Sequence, residues 1–177
     1  MTKKRSQLKI RKARPSDAQT ILDYLAIIGS ESDNLTFGSE GLGYSLEDEM
    51  KTIETISKSK NSVMYLGFKD EVLVSVANLG GKSRDRMKHY ATLGLSVRQA
   101  YWNQGVGKAM MAKLMDFADR NKVLEMIDLE VRSDNHHAIH LYESFGFVRY
   151  GVMPKLMKIN GSYFDTLVMI REGGLKP

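Results

Sequence analysis

Residues 89–145 pass through a strand-like, a helix-like, a second strand-like and a second helix-like hydrophobic pattern, and this order constrains the fold more than any other feature of the chain. Alternating apolar residues predict strands over 89–97 and 126–131. Apolar residues three and four positions apart predict helices over 105–121 and 135–145. A βαβα order of this kind indicates an α/β fold in which helices cover a sheet.

Further strands and helices are predicted around this unit. One helix begins at Pro15-Ser16-Asp17 and is expected to end at Gly29, and another begins after Ser45, whose capping-box partner is Asp48. The other strands are predicted over 8–13, 62–69, 72–79, 147–154 and 162–170, with hairpin turns at Asp70-Glu71 and Asn160-Gly161. These patterns predict a single domain over 1–177, with a mixed, mostly antiparallel twisted sheet of about seven strands and about four flanking helices.

Composition excludes several classes of protein. Apolar residues make up 42% and charged residues 27% of the 177 residues, which is typical of a folded globular domain and not of a disordered or fibrous chain. Cysteine is absent, which excludes a disulfide scaffold, a thiolate metal site and an acyl-cysteine intermediate, and a reducing cytoplasmic location is expected. No apolar run approaches the roughly 20 residues that span a bilayer, so no membrane partner is expected.

The net charge of +5 is concentrated at the start of the chain. Seven of the 26 Lys and Arg residues precede the first acid, Asp17, and the remaining 19 are balanced by 21 acids. A balanced body does not predict a basic groove, so no nucleic-acid partner is expected. Residues 1–7 are predicted to form a basic flexible tail.

The turn between the strand over 89–97 and the next helix contains Gly105 and Gly107. Unpaired backbone N–H groups converge at a helix N-terminus, and glycines leave room for a phosphate to reach them, so this turn is a candidate phosphate site. The P-loop pattern fails because Ala109 follows Lys108, and the dinucleotide fingerprint has Met110 at its third glycine position. On these residues alone, a tight structural turn is an equal alternative.

This turn and the helix that follows the next strand resemble the GNAT family of N-acetyltransferases, and the resemblance covers nearly the whole chain. The family's helix pattern Asn-x-x-Ala-x-x-Leu-Tyr-x-x-x-Gly-Phe runs from Asn135 to Phe147. In the loop pattern Gln/Arg-x-x-Gly-x-Gly/Ala, both glycines match and Trp102 occupies the Gln/Arg position. Segments 31–36 and 161–169 resemble the branch of phosphinothricin and ribosomal-protein N-terminal acetyltransferases.

The resemblance implies the GNAT fold, acetyl-CoA as cosubstrate, and direct attack of a primary amine on the thioester in a ternary complex. It leaves open whether the acceptor is a small-molecule amine or a protein N-terminus, and it implies a homodimer. The residues implied in cofactor binding are Leu95, Val97, Trp102, Asn103, Gln104, Gly105, Val106, Gly107, Lys108, Asn135 and Tyr142. The alternatives are a non-catalytic acetyl-CoA sensor or partner-binding module, and a nucleotide-dependent oxidoreductase built on the same loop.

Direct transfer requires an oxyanion donor, an acid for the leaving thiolate and a base for the amine. The resemblance implies a backbone N–H donor at Leu95, on a strand opened by a local bulge. Tyr142 is the candidate acid because a phenol stays protonated at neutral pH, although its apolar neighbours also fit a core tyrosine. The candidate bases are Glu31, Asp33 and Glu130, each of which also fits a solvated or ion-paired acid. A chain of water molecules is an equal alternative as the base.

Two further groups of residues each give one prediction. The acidic segment from Glu31 to Gly43 is expected to line the entrance used by a cationic acceptor. His136, His140 and Glu143 have a helical spacing that suits a metal ion. Because the helix lacks the glutamate of the zinc-protease motif, no metal is expected.

Overall fold

A computed structural model describes residues 7–173 as a seven-stranded sheet with helices on both faces. The strands are β1 (Lys9–Lys12), β2 (Val63–Lys69), β3 (Val72–Gly81), β4 (Tyr90–Val97), β5 (Met126–Arg132), β6 (Val148–Ile159) and β7 (Ser162–Glu172). The helices are α1 (Ala18–Glu31), α2 (Leu46–Lys58), α3 (Val106–Arg120) and α4 (His136–Ser144), with short 3-10 turns at Pro15–Asp17 and Gln99–Tyr101. The order across the sheet is β1-β2-β3-β4-β5-β7-β6, and among these described strands only β4 and β5 pair in parallel. Apart from Gln7, the predicted basic tail lies outside the described residues.

Short-range signals set the ends of several elements as predicted. The Ser45 hydroxyl accepts a hydrogen bond from the Asp48 amide at 3.1 Å, and the Asp48 carboxylate accepts one from the Ser45 amide at 3.3 Å, which completes the capping box of α2. Both residues of the Asp70-Glu71 and Asn160-Gly161 turns have positive φ angles, as in the type I′ turns that join antiparallel strands. Gly146 follows α4 with a φ of 87°.

Two predicted boundaries are wrong. α1 does not end at Gly29 but continues to Glu31, and a Cβ built on Gly29 would overlap the carbonyl oxygen of Gly38. This glycine therefore allows the segment after α1 to fold back against the helix. β6 continues to Ile159 instead of ending at 154, because an irregularity between Met153 and Met157 lets the strand resume its pairing with β7.

Two hydrophobic clusters hold the helices to opposite faces of the sheet. On one face, Met110 and Leu114 of α3 are fully buried in the same cluster as Ile127 of β5. On the other face, Ile21 of α1 and Ile53 of α2 are buried over β2 and β3. The contacts of α1 and α2 with the sheet are concentrated on β2 and β3, which leaves this face of β5, β7 and β6 less covered. Within residues 7–173, none of the helices is long and apolar enough to cross a membrane.

Candidate active site

The loop between β4 and α3 presents backbone N–H groups to open space. Gly105 is the N-cap of α3 and has a φ of 79°, in the left-handed region that favours glycine. Among the described residues other than its two chain neighbours, none has an atom within 4 Å of a Cβ built on Gly105. The first N–H groups of a helix have no partner inside the helix, so they are available to a ligand here. This arrangement suits an anion such as a phosphate.

The second glycine of the loop faces other parts of the protein. A Cβ on Gly107 would lie 3.4 Å from Leu141 Cδ2 and 3.8 Å from Val97 Cγ2. Val106 is buried in the core, and Lys108 is exposed. The expectation that both glycines keep space for a phosphate is therefore supported for Gly105, whereas Gly107 faces the side chains of Leu141 and Val97.

Side chains within the loop hold its conformation. The Trp102 indole N–H donates to the Val97 carbonyl at 2.6 Å, so this side chain closes the loop onto the end of β4. Gln104 donates to the Ala100 carbonyl and accepts from Lys69 Nζ, at 2.9 Å in both bonds. A cavity of about 640 Å³ opens beside the loop and is lined by Leu8, Lys69, Asp70, Tyr101, Asn103, Gln104, Gly105, Val106 and Ala109.

β4 and β5 pair over three residues and then part. Their parallel register runs from Tyr90 opposite Met126 to Thr92 opposite Asp128. β4 continues to Val97 and remains paired with β3 over this length. A gap therefore opens between β4 and β5 on the side of the sheet edge where the Gly105 loop begins.

The predicted bulge in β4 is absent, because the register between β3 and β4 is unbroken along the whole strand. The Arg98 amide, directly after β4, donates to the Val74 carbonyl of β3 at 2.9 Å. Backbone groups alternate in direction along a strand, so the amides of Leu95 and Val97 point away from β3 and into the gap. The opening arises from lost pairing with β5 and not from a distortion of β4.

Tyr142 lies on α4 with 7% of its surface exposed. Its ring packs edge-on against Phe147 with the ring centroids 6.1 Å apart, and burial raises the pKa of Tyr142 to about 12. The hydroxyl therefore stays protonated at neutral pH and is able to donate a proton. Asn135 caps the same helix, because its Oδ1 accepts from the Ala138 amide at 3.2 Å.

Glu31 uses both carboxylate oxygens within the fold. Oε1 accepts from two nitrogens of Arg98 at 3.1 and 3.3 Å, and Oε2 accepts from the Gln99 amide at 2.9 Å. The carbonyl oxygen of Asp33 accepts from Arg132 Nη1 at 3.0 Å. These contacts favour the ion-paired alternative for Glu31 over the role of base.

Neither Glu130 nor Glu143 belongs to a cluster of metal-binding side chains in the described residues. Glu130 is exposed on β5. Glu143 pairs with Arg149 at 3.0 Å. Over the range 7–173, no group of three His, Cys, Asp or Glu side chains is arranged to hold a metal ion.

Comparison with known proteins relates this chain, with its open helix N-terminus and its gap between β4 and β5, to one protein family. A family profile described as Acetyltransferase (GNAT) family matches residues 33–147. The chain belongs to the GNAT acetyltransferase family. A solved structure of a GNAT-family acetyltransferase from Streptococcus pneumoniae has a TM-score of 0.90 and 26% identity, and the match covers 94% of this chain and 99% of that one. The predicted GNAT fold, an α/β fold with seven strands and four helices, is confirmed by this similarity.

Two curated relatives of this GNAT chain have named activities. N-alpha-acetyltransferase RimI of Mycobacterium tuberculosis is 33% identical over 102 residues, which are 58% of this chain and 61% of that protein. L-amino acid N-acetyltransferase AaaT of Escherichia coli is 33% identical over 90 residues, which are 51% of this chain and 56% of that protein. The matched region thus spans less than two thirds of the length of either relative.

The GNAT domain also contains polar residues on β5 that the sequence reasoning missed. Arg132 stacks on the Phe164 ring at 3.9 Å from its centroid and pairs with Asp134 at 2.6 Å. Asp128 has one fully enclosed carboxylate oxygen, Oδ1, without a hydrogen-bond partner in the described part of the chain. The alternation of Asp128 with Ile127 and Leu129 indicates that it lies on the opposite face from α3 and α4, but no sequence signal indicates where β4 and β5 part.

Proposed function

We propose that this chain binds acetyl-CoA and transfers its acetyl group to a primary amine. The observation that carries the proposal is the parting of β4 from β5 beside the open N-terminus of α3. A pyrophosphate fits the helix N-terminus, and a narrow acyl-bearing arm fits the gap between the strands. Membership of the GNAT family supports the same assignment.

In the proposed reaction, the amine nitrogen attacks the carbonyl carbon of the thioester directly. The C–N bond forms while the Leu95 amide donates to the carbonyl oxygen, on which negative charge develops, and the C–S bond then breaks. The amine gives one proton to a base, and the departing thiolate takes one proton from Tyr142. No acyl group is attached to the protein, which agrees with the absence of cysteine.

The acceptor proposed first is an α-amino group, of either a small molecule or a protein N-terminus. The names of the two curated relatives, an N-alpha-acetyltransferase and an L-amino acid N-acetyltransferase, support this class. Deprotonating an α-amino group of pKa about 7.7 at pH 7 costs about 1 kcal/mol, against about 4.6 kcal/mol for a lysine-like amine of pKa about 10.4. A site with a modest base therefore suits an α-amino group better. The resemblance of segments 31–36 and 161–169 supports the ribosomal-protein and phosphinothricin branch.

We also propose a cytoplasmic homodimer that acts without a nucleic-acid or membrane partner. Val148, Tyr150 and Val152 of the edge strand β6 are 59%, 74% and 56% exposed, and this apolar surface supports contact with a second copy. The near balance of charge after residue 14 supports the lack of a nucleic-acid partner, and the lack of cysteine supports a cytoplasmic location. The lack of an apolar run of about 20 residues supports the third assignment, that no membrane partner is needed. Light scattering on the wild type should give the mass of a dimer, and Tyr150→Asp should shift it towards a monomer.

The test of the activity is thiol release from acetyl-CoA in the presence of amines. Because the chain contains no cysteine, a thiol-reactive dye reports only the coenzyme, and mass spectrometry of the amine shows whether it gains an acetyl group. Acetylated amine and free thiol should form in equal amounts. Coenzyme binding without product would favour the sensor alternative, and thermal stabilisation by NAD but not by coenzyme A would favour the oxidoreductase.

A further inference from the structure

Asp128 carries an unsatisfied acceptor atom in an enclosed position. Its Oδ1 is one of two fully enclosed side-chain oxygens without a hydrogen-bond partner within residues 7–173, and the other is Thr166 Oγ1. Asp128 on β5 and Thr166 on β7 lie on the same face of the sheet. The reason is that Thr166 lies an even number of residues along β7 from the residue that pairs with Asp128. An enclosed carboxylate oxygen without a donor is unfavourable, so a donor from a bound molecule would stabilise it.

The position of Asp128 in the sheet relates it to the gap between β4 and β5. Thr92 opposite Asp128 is the last pair before the two strands part, so Asp128 lies at the closed end of the gap. Its neighbours along β5, Ile127 and Leu129, are buried in the core beneath α3 and α4. Asp128 therefore faces the other side of the sheet, which α1 and α2 cover mainly over β2 and β3.

The charged groups around this position leave Asp128 without a partner cation. Of the nearby arginines, Arg98 is paired with Glu31 at 3.1 Å and Arg132 with Asp134 at 2.6 Å. No Lys or Arg forms an ion pair with Asp128 in the described residues. Burial, and then the charge of the Asp128 carboxylate and a hydrogen bond to it, raise the pKa of Tyr90. The neutral phenol at this end of β4 is therefore placed to donate to Asp128, and Oδ1 is the carboxylate oxygen left without a donor.

We propose that the Asp128 carboxylate binds the ammonium group of the acceptor and then removes its proton. This inference rests on the proposed acetyl transfer and identifies the base that the transfer needs. One N–H proton passes to the Asp128 carboxylate, and the nitrogen lone pair released by that step forms the C–N bond with the thioester carbon. The C–S bond breaks and Tyr142 protonates the thiolate. The nitrogen then loses its second proton through water to Tyr142, which leaves a neutral amide, and Asp128 returns its proton to water after the product leaves. The ligand class is thus a primary amine that arrives as a cation.

Glu130 is itself a candidate base and provides the competing variant, since it lies two residues further along the same face of β5 and is exposed. Asp128→Asn and Glu130→Gln each remove one negative charge and keep the shape of the side chain. The probes are L-phenylalanine, an alanyl-glycyl-glycine tripeptide and cadaverine, each with saturating acetyl-CoA. The three measurements are kcat/KM for the best probe, the Kd of acetyl-CoA by calorimetry, and the melting temperature.

Asp128→Asn should lower kcat/KM by about 10²- to 10⁴-fold, as expected when a base is lost. It should leave the Kd of acetyl-CoA within about threefold of wild type. Its melting temperature should equal or exceed that of wild type, because a half-buried carboxylate with an enclosed, unpartnered oxygen does not stabilise the fold. Glu130→Gln should lower kcat/KM by less than about tenfold. A merely structural Asp128 would instead show a lower melting temperature.

Three results would overturn the inference while leaving acetyl transfer intact. They are near-normal kcat/KM in Asp128→Asn, an equal or larger loss in Glu130→Gln, and a loss in Asp128→Asn accompanied by a lower melting temperature. A wild type that binds acetyl-CoA but acetylates none of the three amines would contradict the proposed transfer itself, and the role of Asp128 as its base would fall with it.

Discussion

Gly105 and Gly107 look equivalent in the sequence but have different roles in the fold. Gly105 adopts a left-handed conformation with open space beside it, whereas Gly107 is helical and packs against Leu141. The sequence shows that both positions need a small residue. It does not show which neighbour each residue faces, because that depends on how α4 packs against α3.

Gly105→Ala should weaken acetyl-CoA binding by at least about tenfold, because the added Cβ enters the space in front of the helix N-terminus. It should also destabilise the fold by about 1–2 kcal/mol, since alanine resists a φ of 79°. Gly107→Ala is the matched control, because its Cβ would make an ordinary contact 3.4 Å from Leu141. Calorimetry with coenzyme A measures the effect, and equal losses in both variants would contradict the assignment of the open space to Gly105.

Tyr142→Phe should lower turnover by about 10²- to 10⁴-fold with little change in acetyl-CoA affinity. The ring would keep its contact with Phe147, and only the proton donor would be lost. A second readout follows from the pKa of about 12, which is raised from 10 by burial. The wild type should lose stability as the pH rises from about 10 through about 12, because the unfolded tyrosine ionises first, and Tyr142→Phe should lack this contribution. Normal turnover in a folded Tyr142→Phe would leave the residue a core tyrosine.

At the scale of elements, the sequence predicts well wherever a local signal decides the structure. The capping box at Ser45 and the turn at Asn160-Gly161 depend on neighbours within four residues, and both form as expected. The course of α1 beyond Gly29 and the parting of β4 from β5 depend on long-range packing and on sheet twist. Because local sequence does not show long-range packing, only the family resemblance predicts that Leu95 lies at the opening. The absence of a bulge in β4 and the position of Asp128 at the end of the β4–β5 pairing are visible only in the folded structure.

Gly29→Ala should destabilise the protein by about 1–3 kcal/mol, because the new Cβ would overlap the Gly38 carbonyl and displace the backbone after α1. In an unconstrained helix the same change would stabilise by about 1 kcal/mol, so the sign of the effect is diagnostic. Urea unfolding measures it. Ser30→Ala is the control at the next, exposed position of α1 and should change stability by less than about 0.5 kcal/mol. Stabilisation by Gly29→Ala would show that the segment after α1 does not pack against this glycine.

At the scale of the whole molecule, the end of α1 connects the two strands that part. Glu31 binds Arg98 at the end of β4, and the Asp33 carbonyl binds Arg132 at the end of β5. Residues 31–33 therefore form a bridge across the open end of the gap between β4 and β5. That this acidic segment lines the acceptor entrance stays a prediction. Its two arginine contacts favour a structural role for it, in which it holds the ends of β4 and β5 at a fixed separation.

Arg98→Lys and Arg132→Lys should each destabilise the fold, and their effects should not add. Lysine cannot reproduce the two bonds of Arg98 to Glu31, nor the simultaneous contacts of Arg132 with Asp33, Asp134 and Phe164. Once one end of the bridge is released, residues 31–33 are no longer held in place, so the contact at the other end loses much of its stabilising effect. The double variant should therefore be more stable than the sum of the single effects predicts, by at least about 0.5 kcal/mol in a double-mutant cycle of urea unfolding. Arg120→Lys, in an exposed pair with Asp116, is the control and should add independently to either change. Strict additivity of Arg98→Lys and Arg132→Lys would show that the two arginines stabilise separate regions and that residues 31–33 do not act as a bridge.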